Sequence, residues 1–380
     1  MVFLTKSLAI AVTVFTVIAS ASPFKRQVAN GSIRRSLELD DYNWLLVISD
    51  DYLFLPLHAR TSPFAHPHVA RCAPYIRVRF TNTTTLKVNL DGNNNTVVWK
   101  IDNGEPTLLT TNGPGTYEIK PAGGFSSSEI YTLMLGPEYC FLLAFKGLVF
   151  DEGGHTIKGN FPKKLIEFVG DSVTGGVTDS MLTWSDYSFL TGEALGVEHT
   201  QIAKAGMCLT DYGTCQPGSL KDYFTSTYNP GFSPCNCSME WDFSYQADAV
   251  SIMIGQSTIF TNAYIRCIIH LPGVNDHSHG PAPSDVFQST YTNLLVTVRT
   301  KYPKAHIFSL TAFSGFYGSD IVAAIAGRAA AGDHAITFVN TTTWLIRPDD
   351  FSNNGSHPNN GGQVKVVKEL APIMKNVLQW

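Results

Sequence analysis

The chain has 380 residues, of which 44% are hydrophobic and 15% are charged, and its formal net charge is -4 at pH 7. This hydrophobic share is enough to build real cores, and the length predicts two domains. No run or stripe of lysine and arginine is present to neutralise phosphates, so nucleic-acid binding is excluded and a neutral or small partner is expected.

The first residues have the pattern of a secretory signal peptide. Lys6 precedes an apolar stretch, and residues 19–21 provide the small side chains of a cleavage site. We therefore predict a signal peptide over residues 1–21 and, because of the dibasic pair at positions 25 and 26, a pro-segment or linker over residues 22–41. No other stretch is long and apolar enough to span a membrane, so a secreted, extracellular protein without membrane contact is expected.

Sequons and cysteines agree with an oxidising, extracellular compartment. Asn-X-Ser/Thr glycosylation sequons begin at Asn30, Asn82, Asn94, Asn236, Asn340 and Asn354. The 7 cysteines are Cys72, Cys140, Cys208, Cys215, Cys235, Cys237 and Cys267. We expect disulfides within the region 208–237, with one thiol left over from the odd count. The Cys-Asn-Cys pair in that region has no second pair at zinc-ligand spacing, so a metal is not predicted there.

Residues 42–155 form a region of short strands separated by turns. Segments with period-two alternation begin near residues 75, 85, 96, 116, 131 and 141. The turn residues 91–93 between two of them indicate a hairpin. Regular short strands without a helical pattern predict a β-sandwich.

After residue 160 strands alternate with helices, which predicts βαβ units. The apolar run Leu165–Val169 is typical of a buried strand of a parallel sheet. Ser284 and Asp285 can cap a helix that Pro303 ends. Further elements are predicted at residues 306–310, 321–331, 335–339 and 364–378. A three-layer α/β/α domain with a parallel sheet is therefore expected over residues 160–380.

Ser172 follows the apolar run directly, in the sequence Gly170-Asp171-Ser172. Reactive groups in open α/β sheets collect at the carboxyl ends of strands, so Ser172 is a candidate nucleophile. The alternative is a helix N-cap, where Asp and Ser are favoured whatever the function. A serine nucleophile needs a base and donors for an oxyanion. His357, in a turn-rich loop before the last predicted helix, is the candidate base, although alone it is more typical of a solvated loop histidine.

The order of four short motifs resembles that of the SGNH/GDSL hydrolases. They contain Ser172, Gly206 in Ala-Gly-Met, Asn275 in Val-Asn-Asp, and His357 before a proline. The β-rich leader makes the chain most similar to carbohydrate esterase family 2, which joins a small jelly-roll domain to an SGNH domain. That family removes acetyl groups from plant polysaccharides. The resemblance thus implies a jelly-roll sandwich followed by an α/β/α hydrolase domain.

The resemblance also implies a role for each motif. Ser172 would be the nucleophile, and its backbone N–H would be one oxyanion donor. The Gly206 N–H and the Asn275 side chain would be the others. His357 would accept the serine proton and return it to the leaving sugar hydroxyl. No cofactor or metal is implied, the partner is an acetylated polysaccharide or oligosaccharide, and we expect a monomer.

One departure from the family pattern concerns the group that orients His357. The family often has an aspartate three residues before the histidine, where this chain has Asn354. An asparagine can hydrogen-bond the ring but cannot stabilise an imidazolium by charge. Either a Ser-His dyad suffices, or Asp349 or Asp350 reaches the ring. Asn354 also begins a sequon, which we expect to be unused because a glycan there would crowd the site.

A second departure is the segment 256–273, which separates Gly255 from the motif of Asn275. Its removal restores the run Ile-Gly-Val-Asn-Asp and also removes Cys267, which leaves an even number of cysteines. The residues at its two ends and in its interior can be encoded by codons that contain splice-donor, branch-point and acceptor sequences. We therefore predict that it is translated from a retained intron, with a loop insertion as the alternative.

The sequence predicts a secreted esterase that hydrolyses O-acetyl groups on xylan or glucomannan through an acyl-serine. One alternative is a catalytically impaired glycan-binding protein, because the segment 256–273 would displace Asn275. Another is a lipid-directed GDSL lipase or acylhydrolase, which the lack of an amphipathic lid disfavours. His277 and His279 flank the asparagine but have no carboxylate at metal-ligand spacing, so no metal is predicted.

Overall fold

The computed structural model describes residues 28–29, 32–33, 53–54, 74–91, 96–139, 143–212, 220–225, 243, 245–254, 275–278, 280–353 and 355–380. The predicted signal peptide, the zinc-like cysteine pair and the segment 256–273 lie outside these residues. Of the seven cysteines only Cys208 lies within them, where it is disulfide-bonded, and the pairing of the others stays a prediction. Among the described residues, no helix is long and apolar enough to cross a bilayer.

Antiparallel strands make up the first part of the chain. Their bounds are β1 Val28–Ala29, β2 Ser32–Ile33, β3 Leu53–Phe54, β4 Ile76–Thr81, β5 Leu86–Asp91, β6 Thr96–Ile101, β7 Thr107–Thr110, β8 Gly115–Ile119, β9 Ile130–Pro137, β10 Ala144–Phe150 and β11 His155–Ile157. One sheet has the order β10-β5-β8 and a larger one the order β11-β4-β9-β6-β7, with β3 beside β4. A separate two-stranded pair consists of β1 and β2.

The two larger antiparallel sheets share one hydrophobic core. Residues of β4 alternate between buried and half-buried positions, because successive side chains of a strand point to opposite faces. Val78 and Phe80 of β4 pack into the same cluster as Leu86 and Val88 of β5, which belongs to the other sheet. Antiparallel sheets around a common core agree with the predicted sandwich, whereas its jelly-roll topology stays a prediction.

Parallel strands and helices make up the second part. The strands are β12 Leu165–Gly170, β13 Glu198–Ala203, β14 Ala249–Met253, β15 His306–Leu310 and β16 Ile336–Val339. The helices are α1 Tyr187–Leu195, α2 Leu220–Thr225, α3 Asn275–Ser278, α4 Ser284–Lys301, α5 Gly318–Ala330 and α6 Asn360–Leu378, with a 3-10 turn at Leu182–Trp184. The sheet order is β13-β12-β14-β15-β16, and every pairing is parallel.

Helices cover both faces of this parallel sheet. One core cluster combines strand residues such as Val169 and Ile252 with α2, α4 and α5. The other combines residues such as Phe168 with α1 and α6. All five residues of β14 are buried, as expected of a strand covered on both sides. The predicted parallel α/β/α architecture is therefore present.

The start of α4 differs from its prediction. The helix begins at Ser284, but its N-cap residue is Pro283, and no side chain caps it. Instead of capping, the Ser284 hydroxyl donates to Asp320 at the start of α5. A cap requires a residue just before the first helical turn, and the helix begins one residue earlier than a Ser284 cap allows.

A cluster of charged side chains joins the antiparallel and parallel parts. Arg77 of β4 lies 2.9 Å from Glu193 of α1 and 3.1 Å from Glu198 of β13. Lys100 of β6 also pairs with Glu193, and the Tyr75 hydroxyl donates to Glu198. Burial raises the pKa of the Glu198 carboxyl to about 6, while Arg77 opposes this shift. Buried carboxylates of this kind depend on their partners, because an unpaired buried charge is costly.

Candidate active site

Ser172 lies in a tight loop at the carboxyl end of β12. Gly170 ends the strand where a Cβ atom would lie 2.1 Å from Thr174 Oγ1, so only glycine fits this close approach. The Asp171 carboxylate accepts the amide hydrogen of Val173 at 3.0 Å. Asp171 thus closes the loop locally, in agreement with the structural role that Asp commonly has at turns.

His357 lies within hydrogen-bond distance of Ser172. The distance from His357 Nε2 to Ser172 Oγ is 2.8 Å, and the two residues are 1% and 0% exposed. Burial lowers the pKa of His357 to about 4, because it disfavours the charged imidazolium. The ring is therefore neutral at physiological pH, and Nε2 can accept the hydroxyl hydrogen of Ser172. This is the contact that a general base requires.

Asp350 supports the loop that carries His357. Its carboxylate lies 2.6 Å from Lys365 Nζ and accepts a backbone amide hydrogen at 2.8 Å. Its backbone carbonyl accepts the amide hydrogen of Asn359 at 3.0 Å. Both carboxylate oxygens of Asp350 therefore have partners that hold the loop. Of the other two candidates for a third catalytic member, Asp349 is exposed and Asn354 lies outside the described residues.

The first turns of α6 are tied to the segment that follows the Ser172 loop. Gln363 Nε2 donates to Asp179 Oδ2 at 2.7 Å, and Gln363 Oε1 accepts the amide hydrogen of Tyr187 at 3.0 Å. Asn360 Oδ1 accepts the amide hydrogen of Ser180, also at 3.0 Å. Since α6 begins shortly after the candidate base, these bonds fix the position of the histidine loop relative to the serine loop.

Gly206 lies in the loop after β13 and has a left-handed backbone with φ of +79°. A Cβ atom there would meet no heavy atom within 4 Å, so the conformation rather than packing favours glycine. The Tyr139 hydroxyl, from the segment between β9 and β10 of the antiparallel region, is hydrogen-bonded to the backbone of Ala205. Tyr139 therefore connects that region to the loop of the predicted oxyanion donor.

Asn275 is the first residue of α3 and is 0% exposed. The next residue, Asp276, accepts amide hydrogens from Leu209 and Thr210, which follow Gly206 in the same loop. The structure thus brings Asn275 to the Gly206 loop, although the segment between β14 and α3 lies outside the described residues. The roles of Gly206 and Asn275 as oxyanion donors remain predictions.

Among known proteins, this chain is similar to esterases. No protein-family model matches the chain. A curated relative is the cellulase/esterase CelE of Acetivibrio thermocellus, with 26% identity over 264 residues, which is 64% of this chain. The match spans only 29% of the length of that relative.

Solved structures give the fold. A family two carbohydrate esterase from Clostridium thermocellum, in complex with cellohexaose, has a TM-score of 0.66 at 22% identity and covers 83% of this chain and 97% of its own. The acetyl xylan esterase Est2A from Butyrivibrio proteoclasticus has a TM-score of 0.68 at 19% identity, covering 88% and 98%. The chain has the fold of the family 2 carbohydrate esterases. The resemblance drawn from four short motifs is therefore confirmed for the fold.

Three residues that shape the site were not found from the sequence. Asp276 directly follows Asn275, and this place beside a predicted oxyanion donor was its only signal in the sequence. Gln363 carried no signal beyond its place in the first turns of a predicted helix. Tyr139 had none, because its contact with Ala205 joins positions that are far apart in the chain.

Proposed function

We propose that this chain is a secreted serine esterase that removes O-acetyl groups from plant cell-wall polysaccharide such as xylan or glucomannan. The observation that carries the proposal is the 2.8 Å contact between His357 Nε2 and Ser172 Oγ. The relatives support the reaction class, since they are named as an esterase, a carbohydrate esterase and an acetyl xylan esterase. The cellohexaose complex of one of them supports a carbohydrate ligand.

The position of the pair in the sheet adds independent support. β12 lies between β13 and β14. The chain therefore moves to one side of β12 to form β13 and to the other side of β12 to form β14. In open α/β sheets, ligands bind at such a switch point, outside the carboxyl ends of the strands. Ser172 directly follows β12 and therefore occupies the place where this fold class binds its ligands.

In the first half of the reaction, Ser172 Oγ attacks the acetyl carbonyl carbon while its proton passes to His357 Nε2. The carbonyl oxygen becomes an oxyanion, which the backbone N–H groups of Ser172 and Gly206 and the Asn275 amide stabilise. Collapse of this intermediate breaks the bond to the sugar oxygen, which takes the proton from His357. The products are a free sugar hydroxyl and an acetyl-serine.

In the second half, His357 Nε2 accepts a proton from water, and the water oxygen attacks the acetyl-serine carbonyl. The same donors stabilise the second oxyanion. Its collapse returns the proton to Ser172 Oγ and releases acetate. We assign the proton transfers to Ser172 and His357, and we assign to the Asp350 carboxylate, which binds Lys365 and a backbone amide, the support of the histidine loop.

The test is the hydrolysis of acetylated xylan, acetylated glucomannan and p-nitrophenyl acetate by the full chain and by Ser172→Ala. Loss of the nucleophile should lower kcat by about a million-fold. Ser289→Ala, which removes a hydroxyl on the exposed face of α4, should retain the activity of the unaltered chain. Acetate release by Ser172→Ala at the rate of the unaltered chain would refute the assignment.

Two further arms separate the alternatives. A series of p-nitrophenyl esters from acetyl to decanoyl should show the highest kcat/KM for acetyl, and a preference for long chains would indicate a lipid-directed hydrolase. A variant lacking residues 256–273 is compared with the full chain, since activity that appears only on deletion would indicate that this segment impairs the site. Sequencing of cDNA across the junction tests the retained-intron proposal, which transcripts that always contain the segment would contradict.

A further inference from the structure

We propose that Asp276 is a positioning residue that fixes the two predicted oxyanion donors, Gly206 and Asn275, relative to each other. The inference rests on the proposed esterase function and deepens it. The buried carboxylate of Asp276 does not itself touch the substrate, and it joins two loops that come from different strands.

The carboxylate of Asp276 binds the Gly206 loop through three hydrogen bonds. Its Oδ2 accepts the amide hydrogen of Leu209 at 2.7 Å. Its Oδ1 accepts the amide hydrogen of Thr210 at 2.8 Å and the Thr210 hydroxyl hydrogen at 2.9 Å. Asp276 is 0% exposed, as is Leu209. These bonds are therefore shielded from competing water.

These hydrogen bonds form a bridge between the loop after β13 and helix α3. Leu209 and Thr210 follow Gly206 by three and four residues in the loop after β13. Asp276 is the residue directly after Asn275, in the turn of helix α3. In the sheet, β13 and β14 lie on opposite sides of β12, so the bridge spans the strand that ends at the nucleophile.

The far side of the same turn is also held. The backbone carbonyl of Asp276 accepts the Tyr317 hydroxyl hydrogen at 3.1 Å and the amide hydrogen of Ala282 at 3.3 Å. The Tyr317 ring stacks on Phe287 of α4, with ring centroids 3.9 Å apart. The position of the Asn275 turn is thus set between the Gly206 loop and helix α4.

The chemistry of the contact requires a carboxylate. Two amide hydrogens approach the two oxygens of Asp276, and an asparagine would offer only one acceptor oxygen and would turn an N–H group toward the other donor. Among the described residues, none of the ion pairs involves Asp276, so amide and hydroxyl donors stabilise the negative charge of its carboxylate. Burial raises the pKa of its carboxyl, and the amide hydrogens of Leu209 and Thr210 oppose the rise.

The test is a double-mutant cycle of Asp276→Asn with Asn275→Ala, with kcat and KM measured on p-nitrophenyl acetate. Asp276→Asn alone should lower kcat by about 100-fold with KM nearly unchanged, because misplaced donors weaken transition-state stabilisation. In the Asn275→Ala background the same substitution should cost at most about threefold, since coupled residues give non-additive losses. Equal losses in both backgrounds would overturn the inference.

Two further variants keep the result interpretable if Asp276→Asn folds poorly. Thr210→Val removes only the hydroxyl bond and should lower kcat by about fivefold, again without effect in the Asn275→Ala background. Thr290→Val, which removes a hydroxyl bond within α4, is the matched control and should leave kcat unchanged. A loss that follows only the folded fraction, measured by thermal unfolding, would show a merely structural role.

A fluorophosphonate probe separates this inference from the proposed function. The probe reacts with an activated serine, and negative charge develops on its phosphoryl oxygen at the place that the oxyanion of an acetyl ester would occupy. Its labelling rate therefore provides a second measurement of the double-mutant cycle, without an acetylated substrate. Labelling that depends on Asp276 without hydrolysis of any acetyl ester would support the positioning role and refute the substrate. Absence of both labelling and hydrolysis in the unaltered chain would overturn both.

Discussion

The antiparallel and parallel regions of this molecule bury their strands differently, and the difference determines where chemistry is possible. Strand β4 has buried residues at every second position, whereas all residues of β14 are buried. Antiparallel neighbours reverse direction, so their loops alternate between two edges of the sheet. Parallel strands all end at one edge, where the loops after β12 and β13 and the helix α3 meet. Several loops can therefore contribute to a single site.

The antiparallel region contributes support to that site from outside. Arg77 of β4 binds carboxylates of α1 and β13, and Tyr139 contacts the backbone beside Gly206. The nucleophile and the base both come from the parallel region. This division between support and chemistry can be tested from both sides.

The largest expected effect on the supporting side is that of Arg77→Ala. The substitution leaves the buried Glu198 without its cation, so we expect a loss of about 3–5 kcal/mol in the free energy of unfolding. Below the unfolding temperature, kcat on acetyl esters should change little. Arg79→Ala, at a half-buried position two residues along the same strand, removes a guanidinium that donates to the carbonyl of Lys158 and should cost less than about 1 kcal/mol. Denaturant unfolding measures both, and equal stability of the two variants would show that the charged cluster does not join the regions.

The pH dependence of kcat/KM reports on the chemical side. His357 acts as a base only when neutral, and burial lowers its pKa to about 4, so activity should persist down to that pH and then fall about tenfold per pH unit. Between the ordinary histidine pKa of about 6.5 and the lowered value, His357 binds more protons in the unfolded chain, so its own contribution to the free energy of unfolding should decline as the pH falls. Circular dichroism checks that the protein stays folded. An activity midpoint near the ordinary histidine value would contradict a buried base.

The smallest expected effect is that of Tyr139→Phe, which removes one hydrogen bond and keeps the ring. We expect a loss of about threefold to fivefold in kcat/KM, in line with about 1 kcal/mol for one hydrogen bond. Tyr131→Phe, in the core cluster of the antiparallel region, serves as the matched control. A loss above about 100-fold would mean that the antiparallel region supplies a group to the reaction itself, and the division between support and chemistry would then fail.

The sequence predicted much of the architecture because the decisive signals are local. The strand predicted at 306–310 is β15, with the same bounds. The helix predicted between Ser284 and Pro303 is α4, and its apolar residues such as Phe287 and Leu294 are buried. Boundaries that depend on capping or on neighbouring strands were less well predicted. The strand predicted to begin near residue 141 and to end at Phe145 is an example, since β10 continues to Phe150.

The sequence by itself determined the order of elements and the candidates Ser172 and His357, because periodic burial and motif order are written in neighbouring residues. Only the tertiary structure decided that these two side chains meet across 185 positions of the chain. It also decided that Asp276 binds a loop 66 positions away, and that burial lowers the pKa of His357. Such contacts depend on how sheets and helices pack, which sets distance and solvent access together.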